Sequence, residues 1–128
     1  MQAKLVKAGA QARKSAYAPY SKFNVGAAVL TDDGRIYTGC NVENASYPLT
    51  CCAERVAVYK AVSEGARNII AVAVIVPGGG TPCGGCRQVL NEFNPDMLVL
   101  YGDEAGNLTS SSKLTTLLPD AFGPHNLK

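Results

Sequence analysis

Cys52-Ala53-Glu54-Arg55 and Pro82-Cys83-Gly84-Gly85-Cys86-Arg87 are the two stretches on which the fold turns, because each sits at the start of a helical pattern. Pro82 followed by the apolar series Val89, Leu90 and Phe93 predicts a helix opening near Cys83. Both sulfurs of the Cys83/Cys86 pair then lie on one face of its first turn. Cys52 likewise precedes a helical pattern in Val56, Ala57, Ala61 and Val62. Two helix N-termini facing each other aim their positive dipole ends at one point, which favours thiolate over thiol.

Working outward, Gln2 to Ala16 reads as an amphipathic helix, with Leu5, Ala8, Gly9, Ala12 and Ala16 on one face. Tyr17 to Ser21 breaks it. Phe23 to Leu30 reads as a strand, with Gly26 marking a close approach of another backbone. Asp32-Asp33-Gly34 is a hairpin turn that returns through Ile36 to Cys40. Asn41 to Thr50 is a loop, and Gly65 suits the C-terminal cap of the Cys52 helix. Asn68 to Val76 is almost continuously apolar, the signature of a strand buried on both faces. Further strands are expected at Met97–Tyr101 and from Leu108, with a short helix from Leu114 to Leu118. The alternation predicts one α/β domain over residues 1–128, a three-layer α/β/α sandwich around a mixed sheet whose first two strands pair antiparallel. In such sheets the site lies off the strand ends where helices begin.

The chemistry offered there is three thiols and one carboxylate. Three thiolates can hold a tetrahedral zinc and leave the fourth position open, the mark of catalytic rather than structural sites. Zinc lowers the pKa of bound water to roughly 7, and a neighbouring carboxylate can shuttle the proton. Glu54, two residues past Cys52, is placed to do so without binding the metal. Three other uses of these cysteines stay open on the residues alone. The Cys83/Cys86 pair could form a disulfide or a thioredoxin-like site. A structural zinc could recruit Cys51 or Cys40 as fourth ligand.

C-A-E followed by P-C-x-x-C resembles the signature of the zinc-dependent nucleoside and base deaminases, in its three-cysteine variant. The chain resembles the short homotetrameric cytidine deaminases along nearly its whole length. The resemblance implies a five-stranded sheet and one zinc per subunit, held by Cys52, Cys83 and Cys86. It implies hydrolytic deamination of cytidine and 2′-deoxycytidine, with Glu54 moving the proton. It places Phe23 against the pyrimidine, the Ala53 backbone N–H on its 2-carbonyl, and Asn41 and Glu43 on the ribose hydroxyls. Arg55 is expected to donate to a cysteine sulfur, because three thiolates outweigh the charge of the dication and would blunt its acidity. Ala45, Tyr47 and Phe122 are expected to reach a neighbouring subunit's site. Blasticidin-type deaminases share C-A-E and P-C-x-x-C but resemble the chain less at Asn41-Val42-Glu43-Asn44.

Composition argues against macromolecular and membrane partners, and the resemblance implies a small nucleoside. The chain has 128 residues, a net charge of +2 and no block of basic residues. That gives no support to nucleic-acid or membrane binding, and no apolar run reaches the roughly 20 residues of a membrane span. The basic N-terminal stretch lacks the apolar centre of a secretory signal, so a cytoplasmic location is expected. Five cysteines without such a signal point to metal binding rather than a disulfide framework. His125, the single histidine, suits a frayed tail. Arg87 is expected to be structural and Cys51 to be packed.

Overall fold

The computed structural model describes residues 1–127. Five strands form one sheet: β1 (Gly26–Thr31), β2 (Ile36–Cys40), β3 (Ile69–Ile75), β4 (Leu98–Gly102) and β5 (Leu108–Lys113), in the order β2-β1-β3-β4-β5. The helices are α1 (Gln2–Ala12), α2 (Ala53–Ser63), α3 (Gly84–Phe93) and the single turn α4 (Leu114–Leu117). β3 and β4 pair in parallel, and the other neighbours are antiparallel. The expected three-layer mixed sandwich is what forms.

Topology decides where the site falls. β2 and β3 both run antiparallel to β1, so they point the same way, and β4 runs with β3. Their carboxyl ends therefore share one edge of the sheet. The chain leaves β2 into α2 and leaves β3 into α3. Both helices thus begin at that edge, with Cys52 and Cys83 as their N-terminal caps.

Alternation along the central strands divides the core into two layers. Val72 and Val74 of β3, with Val29 and Val99, pack under Ala57, Val58, Ala61 and Leu90 of α2 and α3. Ala71, Ala73 and Ile75 point the other way, against Leu5, Val6 and Ala10 of α1. Each fully buried valine or leucine contributes roughly 1.5–3 kcal/mol of transfer free energy. The buried face of α1 is rotated from the expected one: Leu5, Val6, Gly9 and Ala10 are covered, whereas Ala12 and Ala16 are only partly so. The helix continues as a 3-10 turn over Arg13–Ser15. Ile70 is exposed, contrary to a strand buried on both faces, and lies where the pairing of β1 with β3 slips between Leu30 and Thr31.

Gly26 does mark a backbone contact. A Cβ there would stand 2.1 Å from the Gly9 carbonyl oxygen and 2.7 Å from the Arg13 backbone nitrogen. Neither atom is the end of a flexible side chain, so α1 as a whole would have to move. Gly26→Ala should therefore cost roughly 1–3 kcal/mol, seen as a melting temperature lower by about 3–10 °C. Gly84→Ala, where the Cβ meets nothing within 4 Å, serves as the control and should leave the melt in place.

Two boundaries differ from expectation. β1 begins at Gly26, not Phe23, because side chains replace ladder partners across the preceding residues. Asn41 Nδ2 donates to the Phe23 carbonyl (2.7 Å), its Oδ1 accepts from Val25 N–H (2.9 Å), and Arg13 Nε donates to the Asn24 carbonyl (2.8 Å). The tail around His125 is not frayed: Pro124–Leu127 forms a 3-10 turn, tied by Gly123 N–H to Asn126 Oδ1 (2.8 Å).

Candidate active site

The two helix starts bring three sulfurs together. The Sγ atoms of Cys52, Cys83 and Cys86 lie within 4.8 Å of one another, and they form the one such group of potential metal ligands among the described residues. Cys83 and Cys86 are 3.4 Å apart, and Cys83 Sγ accepts the Cys86 backbone N–H at 3.5 Å. That cap leaves both sulfurs of the first turn pointing the same way, as their spacing predicts. All five cysteines are free thiols, and neither Cys40 nor Cys51 joins the cluster. Cys51 is turned into a two-way backbone bridge with Val42, each N–H donating to the other carbonyl at 2.9 Å.

Electrostatics at the trio favour a cation. A hydrogen bond from Cys86, helped by the Arg55 guanidinium, overrides burial and holds the Cys52 thiol down at about 5. The same bond to Cys52, with burial, pushes Cys86 up. Arg55 Nη2 donates to Cys52 Sγ (3.6 Å) and to the Thr50 carbonyl (3.1 Å). The Cys52 thiolate raises the guanidinium further. Arg55 Nε is buried with no partner among the described residues. Three converging sulfurs at two helix N-termini fit a tetrahedral zinc with one open position.

Glu54 occupies the first turn of α2 and is only 5% exposed. Burial, then the neighbouring Cys52 charge, lifts its carboxyl above the usual carboxylate range. A buried acid that holds its proton more tightly is suited to general acid–base work near neutral pH.

In front of these groups opens a cavity of about 420 Å³, lined by Phe23, Asn41, Glu43, Cys52, Ala53, Glu54 and Cys83, together with Ser21, Val25, Thr50, Val76 and Thr81. Cys52, Cys83 and Glu54 thus share its lining with Ser21, Phe23, Val25, Asn41 and Glu43 from the 21–25 and 41–43 segments. Asn41 is buried and spends one donor and one acceptor on the Phe23–Val25 backbone. Glu43 Oε1 accepts the N–H groups of Tyr20 (3.0 Å) and Ser21 (3.1 Å), and Oε2 accepts the Ser21 hydroxyl. The Ser21 hydrogen bond is the main reason the Glu43 carboxyl is held below its ordinary value.

Ala45, Tyr47 and Phe122 do not line this cavity. Tyr47, 70% exposed, stacks its ring obliquely on Tyr20 at 5.8 Å in a neighbouring hollow. Phe122 is 59% exposed, with its carbonyl accepting from Gln88 Nε2 (2.8 Å) and Asn91 Nδ2 (3.3 Å) of α3. Arg87 is structural as expected, donating to the Pro82 and Leu117 carbonyls and to Thr81 Oγ1. Ser21, Thr50 and Thr81 line the cavity without having been singled out in the sequence.

An open, thiol-lined metal position beside a buried acid, at the strand ends of an α/β/α sandwich, defines a zinc-dependent hydrolytic centre. Comparison with known proteins narrows the class. Residues 1–102 match the family model described as the cytidine and deoxycytidylate deaminase zinc-binding region, and the chain belongs to that family. It is 48% identical over 127 residues to a cytidine deaminase of Sporosarcina psychrophila, covering 97% of this chain and 93% of that one. With a cytidine deaminase of Halalkalibacterium halodurans it shares 49% identity over 125 residues, 92% and 91% of the two chains. The crystal structure of cytidine deaminase from Burkholderia pseudomallei superposes with a TM-score of 0.87 at 46% identity, covering 93% of this chain and 97% of that one.

Proposed function

We propose that this chain hydrolytically deaminates cytidine and 2′-deoxycytidine, giving uridine or 2′-deoxyuridine and ammonia, in pyrimidine salvage in the cytoplasm. The observation that carries the reading is a buried Glu54 beside the Cys52/Cys83/Cys86 trio, lining a cavity large enough for a nucleoside. Cys52, Cys83 and Cys86 would hold one zinc per chain, and zinc there supplies the Lewis acidity that makes water a nucleophile near neutral pH.

The remaining work falls to the protein's own groups. Glu54 takes the proton of the attacking water and passes it to ring nitrogen 3. After attack at carbon 4 it takes the proton of the new hydroxyl there and passes it to the departing amine, so that water and cytidine leave as uridine and ammonia. The Ala53 backbone N–H, unpaired within the helix as the first residue of α2, donates to the 2-carbonyl. Phe23 covers the face of the base. Asn41 and Glu43 receive sugar hydroxyls, and the carboxylate disfavours a 5′-phosphate nearby. Arg55 balances the negative thiolates.

The same reading gives the exposed Tyr47, Leu49 and Phe122 a use: in a homotetramer, Ala45, Tyr47 and Phe122 would complete a neighbouring copy's site. No helix among the described residues is long and apolar enough to cross a membrane.

The direct test is loss of the cytidine absorbance band on adding purified protein, with a chelator-treated sample alongside. Rapid loss that chelation abolishes supports the reading; inert cytidine and deoxycytidine with folded, zinc-loaded protein would overturn it. A Cys40→Ser, Cys51→Ser double variant separates a three-ligand from a four-ligand site. Because neither sulfur joins the cluster, the variant should keep its zinc and its activity; loss of metal would mean a fourth protein ligand and a structural site.

A further inference from the structure

Segment 20–25 reaches the cavity without regular secondary structure, yet it supplies the aromatic of the lining. Its geometry converges on one hydroxyl. Ser21 Oγ donates to Glu43 Oε2 and accepts the Phe23 backbone N–H at 3.1 Å. Between the two sits Lys22 with φ = 61°, the left-handed region that non-glycine residues seldom adopt. Lys22 N–H is held by the Ala18 carbonyl at 3.0 Å. The turn is thus closed from both sides, and among the described residues Ser21 Oγ makes its only side-chain bond to Glu43. A carboxylate offers about four lone-pair positions. Three are taken by Tyr20 N–H, Ser21 N–H and Ser21 Oγ–H, which leaves one, on Oε2, with its direction set by the serine.

We propose that Ser21 is a positioning residue for nucleoside recognition: its hydroxyl fixes the free lone pair of Glu43 for a sugar hydroxyl and, through Phe23 N–H, sets the aromatic at a constant distance from it. The inference rests on the deaminase reading for the identity of the ligand, and on the hydrogen bonds alone for the coupling. Serine suits the task because one oxygen both donates to Glu43 and accepts from Phe23 N–H. Threonine preserves that oxygen, and alanine removes it.

The experiment is steady-state kinetics on cytidine for Ser21→Ala, Ser21→Thr, Glu43→Ala and the Ser21→Ala/Glu43→Ala pair, with amide hydrogen exchange at Phe23 followed in parallel. Ser21→Ala should raise KM roughly tenfold or more while kcat changes less than about twofold, since a charge-assisted bond that orients the substrate is lost. Ser21→Thr should return KM to within about threefold of the parent. Adding Ser21→Ala to Glu43→Ala should change KM less than about twofold, because the partner it acts through is already gone. An unchanged KM in Ser21→Ala, an additive double variant, or a fall in kcat at constant KM would each overturn the proposal. Should Ser21→Ala not fold, Ser21→Cys, nearly isosteric with a weak donor, carries the same comparison. If the parent protein deaminates neither nucleoside, the deaminase reading fails by itself. Exchange at Phe23 N–H, expected to quicken about tenfold in Ser21→Ala, still decides the coupling, and unchanged exchange refutes it.

Discussion

Glu54→Gln is expected to keep the fold and the zinc while losing at least ~10³-fold in turnover, within the range general acid–base catalysis supplies. The amide is isosteric with the acid, so packing at this 5%-exposed position is preserved. What disappears is the only buried carboxyl among the described residues, and it adjoins the thiols. Two proton transfers fall to that group in the proposed reaction: from water to ring nitrogen 3, then from the new carbon-4 hydroxyl to the amine. Arg55 does not substitute, since it keeps its proton and is bonded to Cys52 and Thr50, and the Glu43 carboxylate is engaged by Tyr20 and Ser21. Burying a carboxyl costs stability, so the melting temperature of Glu54→Gln should equal or exceed that of the parent. Such an exchange of stability for function is characteristic of active sites. Turnover near the parent value, measured with the zinc content confirmed, would remove Glu54 from its role.

Cys52→Ser should lose both zinc and activity, whereas Cys51→Ser, one residue away, should lose neither. The contrast follows from orientation. Cys52 caps α2 with its sulfur in the trio and its charge supported by Arg55, while Cys51 pairs with Val42 and is a thiol that burial pushes up. Zinc sites of this kind draw their affinity from thiolates, and a hydroxyl does not ionise to replace one. Metal analysis after dialysis, on both variants, is the check. Zinc retained by Cys52→Ser and lost by Cys51→Ser would mean that the two neighbouring sulfurs had been assigned in the wrong order.

How much of this could be read from the chain depended on distance along it. The helix starts at Cys52 and Cys83, the Asp32-Asp33-Gly34 hairpin and the close approach at Gly26 are local signals, and each stands where the sequence puts it. Spacing alone also placed the Cys83 and Cys86 sulfurs on one helical turn. The rotation of α1 was not legible, because apolar Leu5, Val6, Ala8, Gly9, Ala10 and Ala12 cover much of its circumference and only the sheet decides which face is buried. β1 was read as starting three residues early for a similar reason. Phe23 to Val25 has strand-like composition, but Asn41, sixteen to eighteen residues later, takes the backbone groups a strand partner would use. The Ser21–Glu43 contact spans 22 positions and carries no pattern at all. Ala45, Tyr47 and Phe122 lie outside the cavity of the chain, so the use proposed for them in a neighbouring copy rests on the resemblance alone.

The central claim is that the thiol trio and Glu54 together direct water onto carbon 4 of a cytosine nucleoside. Running the reaction in ¹⁸O-labelled water and analysing the product by mass spectrometry tests that claim most directly. The account predicts uridine carrying one ¹⁸O on the base, one ammonia released for each uridine, and neither product from Glu54→Gln within the same time. Unlabelled uridine, release of free cytosine, or labelled product formed equally fast by Glu54→Gln would contradict it.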